Sequence, residues 1–244
     1  MKKNCQLIIL LLLVLSCISE GVNDMDTIEV KGSIKGLRKG TLYLQKIRDS
    51  ILIDLDSVVL KGSSDFKLKT KINSPEIFYL YLDKKDGDTL NDRIRFFGEK
   101  GTVEINTLLK TYESSAEISG SENHLLLEEY LTFIRKFDQE NLKLVKVYFN
   151  ELRENNVSKK LDSIQKKMDN LLLRRYLFTL NFASTNSNRE IAPYLLLTEV
   201  NDTSLKLLDS VMVKLSPEVK LSKYGKDLQV LIDRRKKEES DPGN

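Results

Sequence analysis

A chain of 244 residues with 41% hydrophobic and 31% charged side chains is ordinary globular material, long enough for one large core or two small ones. Its 39 Lys and Arg include Lys2 and Lys3 at the start, so the remainder nearly balances the 36 Asp and Glu, which argues against a nucleic-acid binder. With two cysteines in all, Cys5 and Cys17, a framework of several disulfides is excluded.

The first stretch in chain order is an address. Lys2 and Lys3 precede an unbroken apolar run at residues 7–15, which ends in the small Ser16 followed by Cys17. A positive start, a short apolar run and a small residue make an export signal, and the run falls far short of the roughly 20 residues that span a bilayer. Val14, Leu15, Ser16 and Cys17 resemble the lipobox of bacterial lipoproteins. That resemblance implies removal of a signal peptide at residues 1–16, diacylation of the Cys17 sulfur and acylation of its new amine. Cys17 is therefore the expected lipidation site, and a membrane, reached through the lipid anchor, is the first expected partner. Cys5 would leave with the signal and the Cys17 sulfur would become a thioether, which leaves the mature chain without a thiol or a disulfide. Residues 17–26, rich in polar and small side chains, read as a tether.

From residue 27 the pattern has period two. Ile28, Val30 and Ile34 alternate with polar residues, as do Leu42 with Leu44, Ile51 with Ile53 and Leu55, and Phe66 with Leu68 and Ile72. These are half-buried strands. Residues 77–82 are apolar nearly throughout, and residues 93–97, 102–105 and 116–118 add shorter strands. Gly36, Gly40, Gly62, Gly87, Gly98 and Gly101 punctuate the set. About eight strands predict an antiparallel β-sandwich or partly closed barrel over residues 27–120.

After Gly120 the period becomes that of a helix. Ser121 can cap, and Leu127, Tyr130, Ile134, Phe137, Leu144 and Tyr148 recur at three and four residues. Asn155 and Asn156 break this long helix before Leu161, Ile164, Met168, Leu171, Phe178 and Phe182 describe a second one, its antiparallel neighbour. Residues 191–200, 204–215 and 220–235 read as three shorter helices, with Pro217 placed to begin the last. A helical domain thus covers residues 121–237, and residues 238–244 are a solvated tail.

Taken together these features resemble a known family. Ile28, Glu29, Val30, Lys31, Gly32; Gly40, Thr41, Leu42, Tyr43, Leu44; Asp56, Ser57, Val58; Pro75 before Tyr79 and Leu80; and Phe96, Phe97, Gly98, Glu99, Lys100, Gly101 resemble the domain of unknown function that precedes a thioredoxin-like domain in Gram-negative envelope lipoproteins. The helical part, down to Tyr224, Gly225, Lys226 and Leu228, resembles the segment that joins it to the thioredoxin fold. The chain has no Cys-x-x-Cys pair and is expected to stop where the thioredoxin domain would begin, so the family's redox chemistry passes to no residue here.

Other constellations are weaker. Asp54 and Asp56, two apart on one strand, would share a face and could form a carboxylate pair, but the solvent face of a strand looks the same. Asp83, Asp86, Asp88 and Asp92 around Gly87 lack the alternation and terminal Glu of a calcium loop and read as a charged hairpin tip. The only histidine, His124, has Glu128 one turn on, too few ligands for zinc, and is expected to be an exposed first-turn residue. There is no Gly-x-Ser-x-Gly elbow for a nucleophile. Gly32, Gly36 and Gly40 are expected as turns between strands, not a phosphate loop. Asp26-Thr27-Ile28, Asp56-Ser57-Val58, Asp88-Thr89-Leu90, Asp162-Ser163-Ile164 and Asp209-Ser210-Val211 resemble three-residue O-glycosylation sites.

The sequence therefore predicts an α+β protein, lipid-anchored in the cell envelope at the outer membrane, with no catalytic, cofactor or metal residues. Its expected role is non-enzymatic binding of a protein or glycan. The alternative is an accessory subunit of a separate thioredoxin-like oxidoreductase, and a hydrolase using Asp54 and Asp56 is a distant third.

Overall fold

The computed structural model describes residues 26–84, 92–153 and 159–240; Cys17, the export segment and the tether up to residue 25 lie outside them, as do Asp86, Gly87, Asp88, Asn155 and Asn156. The alternating residues build eight strands: β1 (Thr27–Lys35), β2 (Lys39–Arg48), β3 (Ile51–Lys61), β4 (Asp65–Lys71), β5 (Glu76–Asp83), β6 (Arg93–Gly98), β7 (Gly101–Leu108) and β8 (Glu117–Ser119). They form two four-stranded sheets, in orders β4-β1-β7-β8 and β3-β2-β5-β6. Period-two patterning puts Ile28, Val30, Leu68, Val103 and Ile105 from the first sheet against Leu42, Leu44, Phe78, Leu80 and Phe96 from the second, all buried in one core. The sheets do not close, so the architecture is the sandwich and not the barrel.

Two details differ from the expectation. The strands are not uniformly antiparallel: β1 lies parallel to β7, from Ile28 beside Gly101 to Lys35 beside Leu108. Gly32 and Gly40 are also not turns but lie inside β1 and β2. At Gly32 a side chain is impossible, because a Cβ there would sit 1.8 Å from the Ile105 carbonyl oxygen of the parallel neighbour.

Among the described residues six α-helices follow: α1 (Glu122–Arg153), α2 (Lys159–Thr185), α3 (Ile191–Glu199), α4 (Leu205–Lys214), α5 (Pro217–Leu221) and α6 (Lys223–Ser240). The Ser121 hydroxyl accepts from the His124 N–H at 3.0 Å and so caps α1. The two long helices are antiparallel: Tyr130 meets Thr179 near one end, and Glu151 pairs with Lys160 near the other. At 32 residues, α1 extends about 48 Å. Among the described residues no helix is long and apolar enough to cross a membrane.

The single last helix expected from the sequence is two. Ser216 caps α5 with Pro217 in its first turn, as its side chain accepts from the Val219 N–H. Ser222 then leaves helical conformation, and its hydroxyl accepts from the Gly225 N–H at 3.2 Å to start α6 in a new direction. A second helical core, with Leu196, Leu208, Val219, Leu228 and Ile232, lies among α2 to α6.

A third cluster joins sheet to helices. Ile77 of β5 and Phe97 of β6 pack against Leu127, Tyr130 and Ile134 of α1, Phe182 of α2, Tyr194 of α3 and Tyr224 of α6. Phe97 meets Tyr194 and Tyr224 edge-on, with ring centroids 5.6 and 5.9 Å apart. Polar groups follow the same seam. β6 is an edge strand, and its Phe97 N–H donates to His124 Nδ1 at 3.3 Å. β5 runs past the last residue that β2 pairs with it, Tyr79, and the Ile77 N–H left over donates to the Tyr224 hydroxyl at 3.0 Å. The helices thus satisfy backbone donors that the sheet leaves open.

Candidate binding cleft

The β2–β3 hairpin turns through Asp49 and Ser50, both with positive φ (49° and 66°), a two-residue turn whose twist suits the flanking strands. It carries Arg48 out to solvent beside the end of the sheet. The loop from β4 to β5 brings Asn73 and Ser74 alongside, and the restart of the chain at Ser222 brings Lys223, Lys226 and Asp227 to face them. Together with Lys46, Glu76 and Leu221 these residues enclose a cleft of about 560 Å³ between the sandwich and the helices.

Its walls are fixed by internal bonds. Lys46 Nζ contacts Glu76 Oε1 at 2.6 Å, and both side chains are largely buried. The Lys223 N–H donates to the Ser74 hydroxyl at 3.1 Å and ties the loop to the start of α6, while Lys223 Nζ reaches Asp227 at 3.5 Å. Tyr224 beside it is anchored in the seam, where burial pushes its hydroxyl pKa well above 10. Arg48 and Lys226 are exposed, and among the described residues no carboxylate pairs with either. Two uncommitted cations, with the hydroxyls of Ser50 and Ser74 and the amide of Asn73, can receive an anionic or many-hydroxyl ligand through hydrogen bonds.

Residues singled out by sequence lie elsewhere. Asp54 and Asp56 do not act as a pair: β3 carries an extra residue, Leu55, against β2, so Asp54 stands opposite Gln45 and Asp56 opposite its neighbour Leu44. Asp54 accepts from Gln45 Nε2 at 2.7 Å, while Asp56 accepts from the N–H groups of Ser57 and Lys69, both at 2.8 Å. His124 is not exposed but buried, on the same stripe as Leu127 and Tyr130. Burial holds its pKa below 6.5, partly offset by Glu128, with Arg95 adding to the depression. Since Nδ1 accepts, the imidazole is neutral with its proton on Nε2. Asp92 is buried and bonded to Lys84 at 2.9 Å, and among the described residues no three His, Cys, Asp or Glu converge as metal ligands. Of the Asp-Ser/Thr-apolar triplets, those around Ser57, Ser163 and Ser210 lie on β3, α2 and α4 with exposed serines.

Sequence reasoning missed the cleft, because its residues span positions 46 to 227 and share no local pattern. The one signal available was Ser222 as a second cap inside an apparently continuous helix. Residues 28–127 match the model of a family described as a domain of unknown function (DUF4369). No curated protein matches the chain. The matched span begins in β1, holds both sheets with Lys46, Arg48 and Ser74 of the cleft, and ends on the first turns of α1; over this β part the chain is similar to the DUF4369 family, the domain of unknown function that the sequence resemblance implied.

Proposed function

We propose that this protein is a lipid-anchored binding module of the cell envelope that holds an anionic segment of a protein or glycan in the cleft between sandwich and helices, without covalent chemistry. The observation that carries the reading is the pair of exposed cations, Arg48 and Lys226, lining one polar cleft in which Glu76 and Asp227 are engaged by Lys46 and Lys223, so that Asp49 at the hairpin turn is the one further carboxylate among the lining residues set against them. A binding surface needs such unsatisfied groups, whereas a catalytic one needs groups held against a reacting atom. The anchor rests on the lipobox resemblance around Cys17.

The test places a photo-crosslinking amino acid at Ser50 in the membrane-bound protein, with the same residue at exposed Val213 of α4 as control. A discrete adduct at Ser50, absent at Val213 and lost on combining Arg48→Glu with Lys226→Glu, supports the cleft. The same adducts at both positions, or an adduct indifferent to the charge reversals, overturns it. Incorporation of labelled palmitate that disappears with Cys17→Ser supports the anchor; no incorporation in the unsubstituted protein rejects it.

A further inference from the structure

The far half of α1 carries a face that the rest of the molecule does not use. Leu142, Lys146, Phe149 and Arg153 follow one another at spacings of four, three and four residues and therefore line one side of the helix. All four are exposed, with Leu142 at 54% and Phe149 at 57%. Two large apolar side chains alternate there with two cations. Two carboxylates of this half of α1 are paired, Glu140 at 3.9 Å from Arg174 and Glu151 buried against Lys160, while Asp138 borders the groove toward α2 one turn before the stripe begins. Residues 138–153 and 159–173 together hold seven Lys and Arg against five Asp and Glu.

We infer that this stripe of α1 docks on an anionic lipid surface. A second copy of the chain is disfavoured as the occupant, because pairing the stripe with itself would bury Lys146 and Arg153 against apolar side chains or against each other, with no carboxylate of the stripe to meet them. An apolar and cationic face suits a headgroup layer, into which leucine and phenylalanine insert while lysine and arginine stay at the phosphate level. The contact is independent of the acyl chain on Cys17 and would lay the long helix along the bilayer, so that the hairpin fixes how the protein stands.

The experiment uses a chain beginning at Ile18, which keeps every element described and removes the lipid. The chain has no tryptophan, so Phe149→Trp supplies a single fluorophore on the stripe. With vesicles of phosphatidylcholine containing about a third phosphatidylglycerol, the protein should float with the lipid and its emission should shift to the blue; with phosphatidylcholine alone, or at about 0.5 M salt, both signals should weaken strongly. Combining Lys146→Glu with Arg153→Glu should lower partitioning at least about tenfold, and Leu142→Ser should lower it even at unchanged charge. Since these side chains are exposed, the variants should melt with the parent protein. Overturning results are no flotation with anionic vesicles, equal flotation with neutral ones, or capture of a soluble acidic protein by the stripe without vesicle binding. If a charge-reversed variant misfolds, the unshifted emission of the Phe149→Trp protein on anionic vesicles suffices to reject the inference.

Discussion

Removing one oxygen at the seam separates a structural claim from a packing coincidence. In Tyr224→Phe the ring stays among Phe97 and Tyr194, but the Ile77 N–H loses the hydroxyl that accepts it at 3.0 Å. That donor is buried, and β2 has already parted from β5 at this point, so no strand replaces the lost partner. A buried donor stripped of its acceptor costs about 1–3 kcal/mol. For a chain of this size that corresponds to a fall in melting temperature of roughly 3–10 °C. Tyr130→Phe is the contrast: Tyr130 bonds Thr179 Oγ1 at 2.8 Å, and that hydroxyl keeps its second bond, to the Arg175 carbonyl at 3.0 Å. Its loss should therefore stay near the lower end of that range. Thermal and urea melts of both variants measure the difference, and amide exchange locates it, since Ile77 should lose protection while Phe97, held by His124, retains its own. Should Tyr224→Phe melt with the parent and its Ile77 amide stay slow, the account of helices satisfying the sheet is refuted.

Two further outcomes follow from the same seam and from the start of α6. The His124 pKa lies below its ordinary 6.5 because the ring is buried, so the unfolded chain takes up the proton first: the contribution to stability is complete above 6.5 and drains away as pH falls below it toward the folded value. Melting temperature should drop over that window, and His124→Gln, whose amide oxygen can still accept from Phe97, should flatten the drop; an unchanged profile in the variant contradicts the assignment. Gly225→Ala would gain helix propensity on any open helix, but here its Cβ would fall 2.0 Å from the Val219 carbonyl oxygen and 2.8 Å from the Lys220 Cα. Because both obstacles are backbone, we expect a loss of at least about 2 kcal/mol in chemical denaturation and not the gain of up to about 1 kcal/mol that propensity alone implies.

Eight strands and the long helix pair were legible because each buries one face and leaves a periodic trace. Pairing leaves no such trace: nothing in Ile28 to Lys35 distinguishes a parallel neighbour from an antiparallel one, although Gly32, within a well-formed strand, marked a close approach. His124 was misread through its residue type. Its position, three before Leu127 and six before Tyr130, already placed it on the apolar stripe, where the edge strand β6 supplies an N–H for it to accept. The bulge at Leu55 separated two aspartates that strict alternation would have brought to one face. The cleft was illegible for a different reason, since Lys46 and Lys226 come to line one cleft only after a sandwich, a hairpin loop and a second helix cap have each formed.

The parallel pairing of β1 and β7 also sets an order of events in time. Ser33 bonds Asn106 from 73 residues away, and β1 is an inner strand of its sheet, between β4 and β7. The first strand to emerge during synthesis can pair with β4 early, yet it keeps an open edge until residue 108 has followed. Contacts of such sequence separation are slow to form, and an unpaired inner edge invites other chains. A chain interrupted before β7 would therefore present β1, an inner strand of the finished sandwich, as a template for association, and the interval before β7 arrives is when this protein most needs to be kept apart from its own copies.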